Sequence, residues 1–364
     1  MTKIVIQNVR VFDSEAILEP SNVVITRSAG DIQDYMDDGS AAETSDIVVD
    51  GRGCTLIPGL IDVCANIKGA NAALDTFVSH GVTTVIDLSS NTQQCQALRI
   101  YAAGRTRLPT VFTSGTEAVL AQDPQPHIYD NQNQVVIRTT EEAVAFAAAR
   151  ASGPDRADFV RVVVDLHSPN DALLKTIVDA AHAHGKLTVA RTTGKASYER
   201  AIRAGFDVFT HAPLDAPLDP PLAREMAAQG KVFVPTLRMM RRRAPGGNYE
   251  NAAASVRTLY EAGVTICAGT TANLVPGAQI PFGESLHEEL ELLVDAGMAR
   301  LDALRSATCV AAAAFRLHDR GIVRSGLRAD LLLVDGNPLE DISATRKIKR
   351  VWIQGEDVEP ARTH

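Results

Sequence analysis

The stretch Thr55-Leu-Ile-Pro-Gly-Leu-Ile-Asp62 is an apolar run of strand length that ends on an acid, and the character of the chain changes there. Downstream of it, apolar strand-like runs alternate with Ala-rich helical segments, the pattern of βα units around a parallel sheet. Strands are predicted over 55–62, 83–88, 110–113, 159–165, 187–191, 208–211, 232–236 and 265–270. Helices are predicted between them, among others over 71–79, 141–151, 171–184, 197–204 and 251–262. His184-Gly185-Lys186, Ala204-Gly205 and Ala262-Gly263 each put a glycine just past a helix, where a left-handed cap is needed. Eight strands in roughly 250 residues predict a (β/α)8 barrel, closed so that no sheet edge is exposed.

Outward from the barrel, both ends of the chain read as strands. Ile4-Val-Ile alternates with polar neighbours, and Val23-Val-Ile-Thr follows a Pro20-Ser-Asn turn. Residues 27–46, acidic and centred on Asp37-Asp38-Gly39-Ser40, are expected to be an exposed loop. Beyond the barrel, 285–297 and 301–317 read as long helices. The tail returns to strands at Ala329-Asp-Leu-Leu-Leu-Val-Asp335 and Lys349-Arg-Val-Trp-Ile-Gln-Gly355. The termini are expected to pair into one small sheet, dividing the chain into a terminal domain (1–54 with 320–364) and a barrel (55–319).

The chain has 364 residues and a formal net charge of −8, with 45% hydrophobic but only 5% aromatic residues, so Ala, Val, Leu and Ile must fill the core. It has no basic block to bind nucleic acid and no apolar run near the length of about 20 that spans a bilayer. Met1-Thr-Lys-Ile-Val-Ile-Gln-Asn lacks the apolar block of a signal peptide, so a cytoplasmic protein is expected. Five cysteines without a CxxC pair argue against a full disulfide framework.

Several segments resemble the amidohydrolase superfamily, especially its imidazolonepropionase and Xaa-Pro dipeptidase-like branch. The Thr55–Asp62 motif resembles the family's first barrel strand and Gly81-Val-Thr-Thr-Val-Ile-Asp87 its second. Ser285-Leu-His-Glu-Glu-Leu-Glu-Leu-Leu-Val-Asp-Ala-Gly297, 303–309 and Gly326-Leu-Arg-Ala-Asp-Leu-Leu-Leu-Val-Asp-Gly-Asn-Pro338 match its C-terminal part. The resemblance covers nearly the whole chain and implies a TIM barrel plus a small β-sandwich domain formed by the N- and C-terminal segments.

It also implies metal ligands at the strand ends, and here this chain departs from the pattern. The two histidines after the first strand are replaced by Cys64 and Asn66, the fourth-strand lysine by Arg161 and the fifth-strand histidine by Arg191. His211 is retained on the sixth strand, whereas Thr271 replaces the aspartate of the eighth. Guanidiniums offer no lone pair and never deprotonate. A unit charge about 5 Å from a divalent cation costs roughly 6 to 7 kcal/mol at an effective dielectric of 20. No bound metal and no other cofactor is therefore expected.

The mouth of the barrel collects Cys64, Asn66, Asp87, Arg161, Asp165, His167, Arg191, His211, Thr236, Arg238 and Thr271. Arg161 and Arg191 read either as an anion clamp or as partners of Asp165, Asp87 or another carboxylate in a plugged pocket. His211 is the candidate for proton transfer, and His167 a second one. Cys64 reads as a nucleophile activated by the arginines or as a small buried hydrophobe. Asn66, Asp87, Arg238, Thr271 and His287 are candidate substrate contacts, with His287 also readable as core support and Asp87 as an arginine partner. Tyr129 and Tyr198 are marginal loop candidates. His182 and His184 imitate an HxH motif at a helix end, where residues two apart do not share a face. Arg241-Arg-Arg243 is expected in a loop before Pro245-Gly-Gly247.

These residues lead to an expectation of a metal-independent enzyme: an acid/base isomerase, cyclase or lyase on a small anionic or enolisable substrate, as in natural-product pathways. A non-catalytic binding protein and a residual C–N bond hydrolase are the alternatives. A homodimer is the default oligomer, because dimers are common.

Overall fold

The computed structural model describes residues 3–26, 31–34, 46–121, 134–164, 170–244 and 248–361. Eight parallel strands among them form the barrel: β1 Leu60–Ala65, β2 Val82–Asp87, β3 Thr110–Thr113, β4 Phe159–Val164, β5 Leu187–Thr192, β6 Val208–Thr210, β7 Val232–Val234 and β8 Thr265–Ile266. β1 to β3 make one parallel ladder and β4 to β8 another. Single hydrogen bonds join the two. Asp158 N–H donates to Thr113 O at 2.7 Å, Val63 N–H to Ala268 O at 3.2 Å and Thr271 N–H to Cys64 O at 2.6 Å. Two further strands, Glu117–Leu120 and Gln134–Ile137, are inserted between β3 and β4, with Ala118 paired to Val162.

Burial follows the period of two that a strand imposes. Ile61, Val63, Ile86, Phe159, Val189 and Val208 belong to one interior cluster, which Phe315 also joins. A second, larger cluster packs the helices onto the outside of the barrel. The expected helices form as Ala73–Ser79, Thr140–Ala151, Asp171–Ala183, Lys195–Ala204 and Tyr249–Glu261. Gly205 ends the Lys195–Ala204 helix at φ +95°, a region that only glycine enters at no steric cost.

The structure differs from the sequence expectations in three places. The predicted strand 55–62 is two strands: Cys54–Pro58 leaves the barrel to pair with Leu331–Asp335, and β1 starts after the pivot Gly59. The helix expected over 301–317 is broken into Arg300–Ser306 and Cys309–Ala314, because Thr308 has non-helical angles. Within the loop expected over 27–46, Asp31–Asp34 is a strand, while 27–30 and 35–45 lie outside the described residues. The termini do pair into one sheet, of eight described strands drawn from both ends of the chain. It curls so that Ile4, Ile25, Leu331 and Trp352 share one core. No described helix is long and apolar enough to cross a membrane.

Gly59 is where the two sheets part. A Cβ there would lie 2.1 Å from Thr83 Oγ1 and 2.8 Å from Thr83 Cβ, and Thr83 is itself buried. Gly59→Ala should therefore destabilise the protein by about 1–3 kcal/mol through overpacking. Urea unfolding checks this, and an unchanged midpoint would show that Thr83 gives way freely.

Candidate active site at the barrel mouth

Strand period sets the direction of the two arginines. Arg161 lies two residues beyond Phe159 and Arg191 two beyond Val189, so both side chains follow the interior face to the C-terminal end of the barrel. There they line a cavity of ≈ 540 Å³ with Asn66, Lys68, Ser89, Glu117, His211, Met239, Arg243, Thr271, Asn273, Val275 and Ala278. Among the described residues of that lining, four cationic side chains stand with one carboxylate, although the chain as a whole is acidic.

That carboxylate, Glu117, is the residue that sequence reasoning missed. Its Oε1 sits 2.9 Å from Arg191 Nη1 and its Oε2 3.5 Å from Arg161 Nε. Gln134 Nε2 also donates to Oε1 at 3.0 Å. Burial alone would push the Glu117 carboxyl up, but Arg191 and Arg161 outweigh burial and hold it below its ordinary value of 4.5. Arg161 is almost fully enclosed and is committed further, donating from Nη1 to Leu88 O and to Ser89 Oγ. Arg191 is the more open of the pair. Asp87 attracts Arg161 at longer range but makes no direct ion pair with it. Its Oδ1 accepts the N–H groups of Ile67 at 3.1 Å and Ser89 at 3.3 Å, which fixes the loop after β2.

His211, Thr236 and Thr271 lie just past β6, β7 and β8, and all three have positive φ, at 75°, 50° and 55°. Such conformations cost about 1–3 kcal/mol each for residues other than glycine and persist only where the surroundings enforce them. The enforcing contacts are present. Thr236 Oγ1 meets His211 Nδ1 at 2.9 Å, buried Tyr198 donates to His211 O at 2.6 Å, and Thr271 N–H bonds Cys64 O. With Nδ1 engaged, Nε2 is the ring nitrogen left for the cavity that His211 lines. Burial, then Arg191, Arg161 and Arg243, hold the imidazole well below its ordinary 6.5, so it is neutral at physiological pH. A neutral ring can accept a proton but has none of the imidazolium's acidity to offer until it has accepted one.

Other candidates are placed elsewhere or differently. Asn66 and Thr271 do line the cavity. Cys64 is buried with Sγ 3.5 Å from Thr271 Oγ1, and burial pushes its thiol up to about 11 despite Arg161 and Arg191, so the thiolate nucleophile is ruled against. Arg238 ion-pairs with Glu288 rather than lining the cavity, while its N–H donates to Glu289 Oε2 at 2.7 Å. His287 is core support: Nδ1 meets Thr345 Oγ1 at 3.0 Å and Nε2 meets His80 O at 3.0 Å, away from the mouth. His182 pairs with Asp207 at 2.9 Å near its helix end. Arg241–Arg243 close a helix, Leu237–Arg243, instead of lying in a loop. Asp165, His167, Tyr129 and 245–247 lie outside the described residues.

The donor set does not fit the metal that the fold family implies. Among the described residues no group of three His, Cys, Asp or Glu converges. A protonated thiol, a neutral histidine, an amide and a hydroxyl surround two fixed cations, against the three or four N, S or O⁻ donors that zinc takes.

A sequence model of the amidohydrolase family matches residues 65–358. Ochratoxinase from Aspergillus niger is 28% identical over 203 residues, which cover 50% of this chain and 40% of that protein. The chain thus spans about two fifths of the length of that curated relative. A Xaa-Pro dipeptidase with bound methionine has a similar structure, with a TM-score of 0.84 at 23% identity over 98% of this chain and 100% of that one. Phenylurea hydrolase B superposes with a TM-score of 0.81 at 20% identity over 98% and 97%. The likeness to these two structures establishes the fold. The relatives also correct the chemical expectation: they are named as a hydrolase, a dipeptidase and an ochratoxinase, and the isomerase, cyclase or lyase reading is withdrawn.

Two measurements follow. Elemental analysis of protein purified without chelator should find zinc, manganese and iron far below stoichiometric, and one equivalent of any of them would refute the donor-set argument. Glu117→Gln should cost about 3–5 kcal/mol at pH 7, because it removes the carboxylate that faces the buried Arg161 guanidinium and the half-buried Arg191. Since the Glu117 pKa is lowered on folding, its stabilisation is complete above pH 4.5 and is lost as pH falls through the folded value. The stability gap between wild type and Glu117→Gln should accordingly narrow in acid; a gap independent of pH would contradict the ion-pair account.

Proposed function

Because the chain belongs to the amidohydrolase family, we propose that it hydrolyses a carbon–nitrogen bond in a small organic amide that carries a carboxylate. The observation behind this reading is the excess of cations over carboxylates in an open cavity that also presents a neutral imidazole. Arg191, with Lys68 and Arg243, supplies the positive field for a substrate carboxylate and for the oxyanion that forms when water adds to the carbonyl carbon. His211 Nε2 takes the proton from the attacking water. When the tetrahedral intermediate collapses, the C–N bond breaks and the imidazolium returns the proton to the leaving amine, giving a carboxylate and an amine.

The depressed basicity of His211 fits this sequence of steps. Burial and three guanidiniums disfavour its protonated form. An anion seated against them offsets that repulsion, so substrate binding itself raises the basicity of the ring. Arg161, enclosed and shared between Glu117, Leu88 and Ser89, positions Glu117 and Arg191. A structure of the same fold, a Xaa-Pro dipeptidase, holds methionine in its active site, and methionine is an apolar amino acid with a free carboxylate.

The test is a panel of N-acyl amino acids and dipeptides, with the released amine measured. His211→Ala and Arg191→Ala should each lower kcat/KM by about 10²–10³-fold, with thermal unfolding near that of wild type for His211→Ala. Full activity in either variant overturns the assignment. Turnover of uncharged amides as fast as their carboxylate counterparts would overturn the substrate class.

A further inference from the structure

The segment after β8 departs from the cationic character of the rest of the mouth. Asn273 and Ile280 form an isolated antiparallel bridge, with Asn273 N–H to Ile280 O at 2.9 Å and Ile280 N–H to Asn273 O at 3.3 Å. Inside this small hairpin, Val275 N–H donates to Asn273 Oδ1 and Ala278 N–H to Val275 O, at 2.8 and 3.0 Å. Asn273 Nδ2 ties its base to Thr271 O, and Arg242 Nη2 holds its tip through Gly277 O, at 2.8 and 2.7 Å. A loop fixed at base and tip nevertheless leaves two large apolar side chains in water, Leu274 at 59% and Val275 at 45% exposure. Val275 and Ala278 line the same cavity as the arginines, and so does Met239 from the helix after β7. Single exposed hydrophobes are ordinary on a surface, but an ordered apolar lip on the rim of a cationic cavity has the build of a ligand site, apolar walls with a few placed charges.

We infer that Val275, Ala278 and Met239 form an apolar subsite that selects substrates with a hydrophobic aliphatic or aromatic group opposite their anionic end. This inference rests on the cavity being the substrate site, as in the hydrolase reading, and it adds the second recognition element. Arg191 and its neighbours hold the charged end, and the hairpin covers the apolar end. Because the hairpin is hydrogen-bonded in place, little ordering is left to be done on binding.

The n-alkyl carboxylates from butanoate to octanoate are suitable probes, because they have the charge and the apolar tail but no bond to hydrolyse. Calorimetric titration of the full chain should show affinity rising about threefold to fourfold per added methylene until the subsite is filled. In the double variant Val275→Ser with Ala278→Ser, the rise of affinity with chain length should flatten relative to wild type. A flat series in wild type, or an unchanged gradient in the double variant, overturns the apolar subsite while leaving amide hydrolysis untouched. Failure of every carboxylate to bind overturns the cationic floor, and both readings with it.

Discussion

Two guanidiniums enclosed at the end of a barrel demand a counter-charge, and the geometry of this mouth is arranged around supplying one. Taking an unpaired arginine out of water costs several kcal/mol, so neither Arg161 nor Arg191 could occupy its position beside an apolar neighbour. Glu117 meets the demand from a strand that lies outside the eight-fold βα rhythm, placed by its pairing with Gln134–Ile137 and with β4. The inserted strands are therefore tied to the two substitutions on β4 and β5. Among the described residues one carboxylate is shared between two arginines, and the guanidiniums add to burial in depressing His211.

Much of this architecture could be read in the sequence, because hydrophobic burial is local in its signature. Alternating strands and Ala-rich helices located all eight barrel strands, and counting along the family motifs led to Asn66, Arg161, Arg191 and Thr271 as altered positions and His211 as a retained one, all of which line the cavity. Glu117 escaped notice because nothing around it looks catalytic; it stands after β3 among small polar residues, and only tertiary pairing brings it to Arg191. The left-handed backbone at His211, Thr236 and Thr271 was equally hidden, since threonine is β-branched and its sequence neighbourhood suggests plain strand. Of the two readings of Cys64, the structure favours the small buried hydrophobe. Nearby arginines do favour a thiolate, but burial acts more strongly on a side chain shut away from water.

The relation between scaffold and chemistry is also clearer. In this fold a strand end is an address, and what stands at the address can change. Here two positions at which the resemblance implies metal-site residues carry permanently charged, lone-pair-free guanidiniums, Arg161 and Arg191. Polarisation of a carbonyl can come from a fixed guanidinium field as well as from a cation bound by donors. The difference is that the field is part of the polypeptide and exists as soon as the chain has folded.

The curled terminal sheet bears on how the protein is made. Thr55 faces Val334, and almost the entire barrel lies between them in the chain. During synthesis the ribosome delivers Cys54–Pro58 early, yet its antiparallel partner emerges only after every barrel strand has been translated. The segment just before β1 must wait with one open edge while the βα units accumulate, and contacts this distant in sequence are slow to close. Completion of the sheet then ties both ends of the chain across Gly59. A nascent or truncated chain without its last strands would hold a barrel whose entry strand is unsecured, and it would present that edge to any neighbouring chain.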